Sequence, residues 1–368
     1  MGTHLAFRRP VQEQEEGKQK MDREKTVSLL ETKDLHVEFV SVAGRVFAIR
    51  GVSFSLKRGE TLALVGESGC GKTVLCRSIA GLLPSHGKVT SGEICLEGRK
   101  LTGADEAVWR KVRQEKLGLL WQNPMAFFHP SIPVGKQIIE GLLLSKSCSK
   151  KEAVRRAGEL LTQLEIPDAG NRMKLYPHQW SGGMLQRGAL AAALLKNPEL
   201  LLADEPTTAL DVFSQKKILS LLKKCTKEYG LSVIFVTHDL LAAAKVADRI
   251  AVMYGGRIVE IGTTGEVLKD PRHPYTWGLM SSLPSLWKEG KPEGISGSPP
   301  DMRTLPAGDL FAPRNPYAME IDWEREAPMF SVTDTHFAAT WLLHPQAPNV
   351  SCPVRLHLEK NERGEENE

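Results

Sequence analysis

The sequence predicts an α/β fold, with a parallel sheet, a helical insert and a smaller C-terminal extension. Three observations point there. Short apolar runs, Thr61–Val65, Leu200–Ala203 and Ser232–Val236, have the length and character of buried strands. Helical patterns alternate with these runs. The glycine-rich stretch GESGCGKT, residues 66–73, follows the first run and opens a helix through Leu75 and Ile79 that stops near Gly81.

Residues 1–23 are polar and charged and read as a disordered tail, with Met21 a second candidate start. From Val27, LLETKDLHVEFV and VFAIRGVSFSL carry apolar residues at strand spacing, and Lys57-Arg58-Gly59-Glu60 reads as a turn. Residues from about 105 to 183 read as a mostly helical insert, because KKEAVRRAGELLTQLEI places apolar positions at helical spacing with charges between. Helices are expected over 184–196, 212–229 and 240–247, and RIAVMYGGRIVEIG reads as a hairpin turning at Gly255-Gly256. The core is thus expected over 24–265 and an extension over 266–368, where proline and glycine rise.

The chain has 368 residues, 41% of them hydrophobic, enough for one large domain plus an extension. With 48 basic and 44 acidic residues, the net charge of +4 is too mild to argue for a nucleic-acid partner. No apolar stretch approaches the roughly 18 residues of a membrane span, and the N-terminus shows no apolar signal core. Ala6 stands where a myristoylation site needs Ser or Thr. The chain therefore reads as intracellular, or peripheral to a membrane through partners. Six scattered cysteines with no CxxC pair read as free thiols.

Gly66, Glu67, Ser68, Gly69, Cys70, Gly71, Lys72 and Thr73 match a phosphate-binding loop at every fixed position. The glycines let backbone N–H groups close around phosphates, Lys72 neutralises β/γ oxygens, and the Thr73 hydroxyl reaches Mg²⁺. Asp204 and Glu205 end an apolar strand; downstream of such a loop, Asp204 would hold Mg²⁺ through its water shell and Glu205 would polarise the attacking water. His238 emerges from the next apolar strand, where it can contact a γ-phosphate. The stretch QWSGGMLQR sets Ser181, Gly182 and Gly183 ahead of an Ala/Leu-rich helix, the chemistry of a second anion-receiving helix N-terminus.

In the order GESGCGKT, WQNP, WSGGM, LLLADEP, TALD and THD, the chain resembles the ATP-binding subunits of ABC transporters over about residues 27–265. The resemblance implies a P-loop ABC ATPase core, a RecA-like sheet plus an antiparallel β subdomain, that binds ATP and Mg²⁺. It also implies that two such domains face head to tail. Ser181, Gly182, Gly183 and Met184 would then serve a nucleotide held by the partner chain, and Asp211 would cross that interface. Gln122 would sense Mg²⁺, sharing the metal with Thr73 and Asp204, and relay to membrane subunits. Phe39 is the candidate for stacking on adenine, with Phe47 second. Met184 stands where glutamine is usual; together with PTTALDV and DPRHPYT this resembles the oligopeptide, dipeptide and nickel importer branch.

Many members of that branch carry four cysteines that bind an iron–sulfur cluster in the extension. Here Asp309, Asn315, Asp322 and Thr340 occupy those places and Cys352 stands alone, so no cluster is expected, because such clusters want thiolates. The oxygen-bearing set would suit a hard cation, or the fold is retained there without metal and held by hydrogen bonds. Phe127 and Phe128 either fill the groove where the family docks its membrane subunits or pack on the insert. Thiol alkylation at Cys70 is expected to block ATP binding.

The resemblance implies an ATPase subunit powering import of peptides, with nickel or a metal chelate as the alternative cargo. Its partners would be two transmembrane permease subunits, a second ATP-binding subunit (a mixed pair rather than a homodimer) and, indirectly, a solute-binding protein, at the cytoplasmic face of the membrane. A soluble non-transport ABC protein and a non-hydrolysing regulatory module are the rivals. The single P-loop and single SGG motif weigh against the first, and Glu205 with His238 against the second.

Overall fold

The computed structural model describes residues 28–42, 44–145, 148–208, 210–283 and 294–353. The expected tail over 1–23 lies outside the described residues. The chain divides into two compact units. The first runs to Ile258 and includes Asp301–Leu305; the second comprises Val259–Pro300 and the residues from Pro306 onward.

The first unit holds two sheets. One is antiparallel, in the order β2-β1-β4-β5: β1 (Ser28–Ser41), β2 (Gly44–Lys57), β4 (Gly87–Leu96) and β5 (Arg99–Lys100). Leu35 and Val37 of β1 and Ile49, Val52, Phe54 and Leu56 of β2 are buried. β2 is the edge strand of this sheet. Its register opposite β1 pairs Phe39 with Val46 and Glu38 with Phe47. Successive side chains on a strand face opposite ways, so Phe39 and Val46 share one face while Phe47 takes the other.

The second sheet is parallel over its five strands in this unit. β3 (Thr61–Val65) lies between β9 (Arg249–Tyr254) and β8 (Ser232–Thr237), followed by β7 (Leu200–Asp204) and β6 (Leu117–Leu120). Every residue of β3, β7 and β8 is buried, as continuous apolar runs demand when both faces are covered. β6 falls inside the stretch read from sequence as helical insert. Its four residues, Leu117-Gly118-Leu119-Leu120, are too few for periodicity to show a strand, yet they pair in parallel with β7.

Helix α1 (Lys72–Ile79) follows β3, and α2 (Glu106–Glu115) precedes β6. Between β6 and β7 come α3 (Pro124–Phe127), α4 (Val134–Leu144), α5 (Lys150–Gln163), α6 (Ala169–Arg172) and α7 (Gly182–Leu194). In α5, Ala153, Ala157, Leu160 and Leu161 make the buried stripe, and Ser149 caps the start by accepting the Glu152 N–H at 3.3 Å. Two more helices complete the unit: α8 (Val212–Tyr229), ended by Gly230 at φ +62°, and α9 (Leu240–Val246). Phe128 is buried and meets Phe127 edge-on at 4.8 Å, whereas Phe127 stays exposed with Met125 and Ile132. The aromatic pair is thus divided, one ring packed inward and one ring outward.

The chain leaves the first unit through β10 (Arg257–Thr263), which pairs with the short strand β12 (Phe337–Ala338), itself paired with β11 (Phe330–Ser331). The second unit adds α10 (Thr264–Lys269), α11 (Pro274–Ser281) and α12 (Glu320–Glu324). Tyr275 and Phe311 pack edge-on at 5.4 Å in its interior. Fully buried Glu260 accepts the N–H groups of Arg272 at 2.7 Å and His273 at 3.0 Å and lies 2.7 Å from His336 Nε2.

The four positions that replace cysteines each close a local turn. Asp309 accepts from Phe311 N (2.9 Å), Asn315 from Tyr317 N (3.0 Å), Asp322 from Met319 N (2.7 Å) and Thr340 from Leu342 N (3.3 Å). These oxygens do not fit an iron–sulfur cluster, which takes thiolates. Among the described residues no group of three or more His, Cys, Asp or Glu is placed to hold a metal.

Candidate functional site

Four parallel strands deliver the site from their C-terminal ends. β3 runs into the glycine loop, β6 into Gln122, β7 into Asp204 and Glu205, and β8 into His238. This is where an open α/β sheet binds ligands. A cleft of about 690 Å³ is lined there by Ser68, Gly69, Gly71, Lys72, Thr73, Gln122, Glu205 and His238, and also by Phe39, Val46, Ala48 and Met302.

The loop needs its glycines for two physical reasons. A Cβ on Gly66 would lie 2.2 Å from the Met253 carbonyl oxygen. Gly71 has φ +104°, and its Cβ would lie 2.6 Å from the Ala48 carbonyl oxygen. Lys72, only 4% exposed, donates to the carbonyls of Gly66 (2.7 Å) and Glu67 (2.8 Å), which hold its ammonium inside the loop. The N–H groups at the start of α1 face the same loop, a ready anion receptor. Cys70 lies behind the loop rather than in the cleft: it is 6% exposed, and burial raises its thiol pKa despite Lys72 Nζ at 3.7 Å.

The Thr73 hydroxyl donates to Asp204 Oδ1 at 3.1 Å. Burial raises the Asp204 pKa, the Thr73 hydrogen bond opposes that shift, and the neighbouring Glu205 charge adds to it. A hydroxyl and a carboxylate this close are oxygen ligands of the kind Mg²⁺ takes.

Glu205 sits at φ +46°, a left-handed conformation that costs a non-glycine residue about 1–3 kcal/mol. Its N–H is anchored on the Val236 carbonyl at 3.0 Å. The kink turns the carboxylate toward three partners. Glu205 Oε2 accepts from Gln122 Nε2 (3.0 Å) and Thr208 Oγ1 (2.8 Å) and lies 3.5 Å from His238 Nδ1. The Glu205 side chain is 15% exposed and that of His238 59%.

Ser181, Gly182, Gly183, Met184 and Asp211 do not line this cleft. Ser181 caps α7 by accepting Met184 N at 3.3 Å. Asp211 caps α8 by accepting Ser214 N at 2.9 Å and Ser214 Oγ at 2.7 Å, bonds that hold its carboxyl below the usual range. A Cβ on Gly183 would lie 2.8 Å from Ser214 Oγ, so the two helix starts adjoin. Both are exposed.

Phe39 lines the cleft and packs against His86 with ring centroids 5.4 Å apart. Phe47, the second candidate, lies on the opposite face of β2 beside a different hollow, with Arg45 and Asp301. Register, not spacing along the chain, separates the two. Sequence reasoning missed Thr208 and Met302. The doublet in PTTALD was a signal for Thr208; nothing in the local sequence marks Met302.

Family models match in two places: ABC transporter over residues 49–208, and the oligopeptide/dipeptide transporter C-terminal region over 259–321. The oligopeptide transport ATP-binding protein OppD of Bacillus subtilis is 51% identical, over 88% of this chain and 92% of its own length. The dipeptide transport ATP-binding protein DppD of Lactococcus lactis is 47% identical, over 88% and 93%. Among solved structures, a dimeric, post-hydrolysis ATP-binding cassette, MJ0796 bound to ADP and Pi, superposes with a TM-score of 0.58 at 30% identity, covering 64% of this chain and 98% of that one. The chain, with its phosphate loop, carboxylate pair and matching extension, belongs to the ABC ATPases, within the family of oligopeptide and dipeptide transport ATP-binding proteins.

Proposed function

We propose that this chain hydrolyses ATP to power uptake of oligopeptides or dipeptides through separate membrane permease subunits. The observation that carries the chemistry is the convergence of Gln122, Thr208 and His238 on Glu205, in the cleft that holds the phosphate loop. Glu205 takes the proton of the attacking water, and its donors fix the oxygen that does so. Lys72 and the loop N–H groups neutralise the phosphates; His238 faces the γ-phosphate. Mg²⁺, held by Thr73 and Asp204 with Gln122 beside them, supplies charge neutralisation at the phosphate oxygens when bound.

Ser181, Gly182, Gly183, Met184 and Asp211 complete the nucleotide site of a facing copy or a second ATPase; the exposure of Ser181, Gly182 and Asp211, and the position of all five outside their own cleft, support this. The dimeric state of the related MJ0796 cassette supports a pair. The peptide names of the relatives favour peptides over nickel as cargo. The relatives' names as transport ATP-binding proteins favour a pore made by other chains, with this one at their cytoplasmic face.

The test is a tagged Glu205→Gln protein recovered from its host in detergent with ATP. Two permease chains and a second ATPase in the mass spectrum are expected. Ribosomal proteins, or no membrane chain at all, would overturn the transport reading.

A further inference from the structure

The segment Asp301–Leu305 belongs by its contacts to the first unit, although the residues on both sides of it belong to the second. It reaches the edge of β2, where the Phe47 N–H donates to the Met302 carbonyl at 3.0 Å. The segment is a braced turn. Thr304 N donates to the Asp301 carbonyl at 3.2 Å, and the Asp301 carboxylate accepts Arg303 N at 3.0 Å. The same carboxylate holds the Arg303 guanidinium, with Nε at 3.0 Å and Nη2 at 2.8 Å. Met302 stands at the crest of that turn, half-buried, and lines the cleft.

Its company there is informative. The polar lining of the cleft comes from Ser68, Lys72, Thr73, Gln122, Glu205 and His238, and its apolar lining from Phe39, Val46, Ala48 and Met302. Phe39 and Val46 are a cross-strand pair on one face of the antiparallel sheet. Met302 comes from outside that sheet. A flat heteroaromatic base bound beside Phe39 needs a second wall, and a thioether is polarisable and adapts to ring faces and edges.

We infer that Met302 is a base-binding residue of the nucleotide cleft, carried in from the distal extension by the braced turn Asp301–Thr304. The inference rests on the ATP reading of that cleft and adds to it a residue beyond the phosphate-loop core. The phosphates are held by the glycine loop and Lys72, and the adenine is held between Phe39 and Met302. The braced turn fixes Met302 before nucleotide arrives, so little ordering cost falls on binding.

The experiment compares ADP affinity of the purified full chain with that of Met302→Ala, Met302→Leu and Lys72→Ala by calorimetry. It is joined to photolabelling with 2-azido-ADP and peptide mapping. A sulfur–ring contact with its buried area is expected to make Met302→Ala bind ADP about 3- to 10-fold more weakly. Met302→Leu, of similar volume, stays within about twofold. The azido label falls on the tryptic peptide that ends at Arg303. Unchanged ADP affinity in Met302→Ala overturns the inference. So does an equal loss in the leucine variant with label confined to other peptides, which would make the residue merely structural. Lys72→Ala tests the underlying reading separately: full ADP affinity there would overturn the phosphate-loop assignment itself.

Discussion

Replacing Thr208 by valine removes one hydroxyl and keeps the branched shape. That hydroxyl donates to Glu205 Oε2 at 2.8 Å, and the carboxylate it serves is 15% exposed. A hydrogen bond to a charged acceptor is worth about 1.5–3 kcal/mol. The Gln122 amide, 3.0 Å from the same oxygen, remains in place and continues to orient it, so the lower end applies. Without that bond the carboxylate is held less firmly toward the attacking water, and about 1.4 kcal/mol of lost positioning is a tenfold loss of rate. Phosphate release by the native complex, followed across ATP concentrations, should show kcat reduced about tenfold in Thr208→Val. KM should stay within about twofold, because Thr208 is not among the phosphate-loop residues. Thr208→Ser should restore the rate. A valine variant with wild-type kcat, or one whose whole loss sits in KM, would refute the role given to this hydroxyl.

Other consequences are as open to measurement. Gly71→Ala places a Cβ 2.6 Å from the Ala48 carbonyl at φ +104°, so ADP binding should vanish and the melting temperature fall, at a cost of about 1–3 kcal/mol; normal ADP calorimetry would contradict this. Glu260→Ala strands the N–H groups of Arg272 and His273 and the His336 ring in the second unit, and should cost about 3–5 kcal/mol in a denaturant titration, with Glu260→Gln milder. For Glu266, partial burial alone would raise the carboxyl pKa, but hydrogen bonds from Thr333, Thr263 and Thr335 outweigh it and hold the value at about 2. Its contribution is therefore full above the ordinary carboxylate range and lost as pH falls toward 2; Glu266→Gln should remove about 1 kcal/mol of that acid dependence after allowance for solvent screening. Because burial raises the Cys70 thiol pKa, maleimide should react slowly at neutral pH and faster as pH rises, with ATP protecting and Cys70→Ser insensitive; a Cys70→Ser protein inactivated equally would place the damage elsewhere.

The phosphate loop was readable because its geometry admits few residue types: Gly66 and Gly71 are fixed by backbone crowding that no other side chain survives. Glu205 and His238 were readable because fully buried strands announce themselves as apolar runs, and whatever follows them stands at the sheet's working edge. Phe39 could be separated from Phe47 only by strand register, which a single sequence does not contain. β6 hid among helices because four residues carry no measurable period. Thr208 reaches Glu205 through a left-handed kink that no propensity foretells, and Met302 arrives from a segment whose neighbours lie in the other unit. Long-range placement of this kind leaves no local trace.

The hydrogen bond from Phe47 to the Met302 carbonyl also bears on how the chain is made. An uncovered edge strand is a template for another molecule's strand, and β2 is such an edge. The Gly256 carbonyl takes the Arg50 N–H of this edge, and the cover at Phe47 is encoded far downstream. During synthesis the antiparallel sheet is finished long before residue 302 leaves the ribosome, so for that interval the nascent chain carries an unguarded edge. A gene shortened to the catalytic core would make that interval permanent. The extension is thereby tied to solubility, and truncations ending near residue 265 should aggregate through β2 even where every catalytic motif is intact.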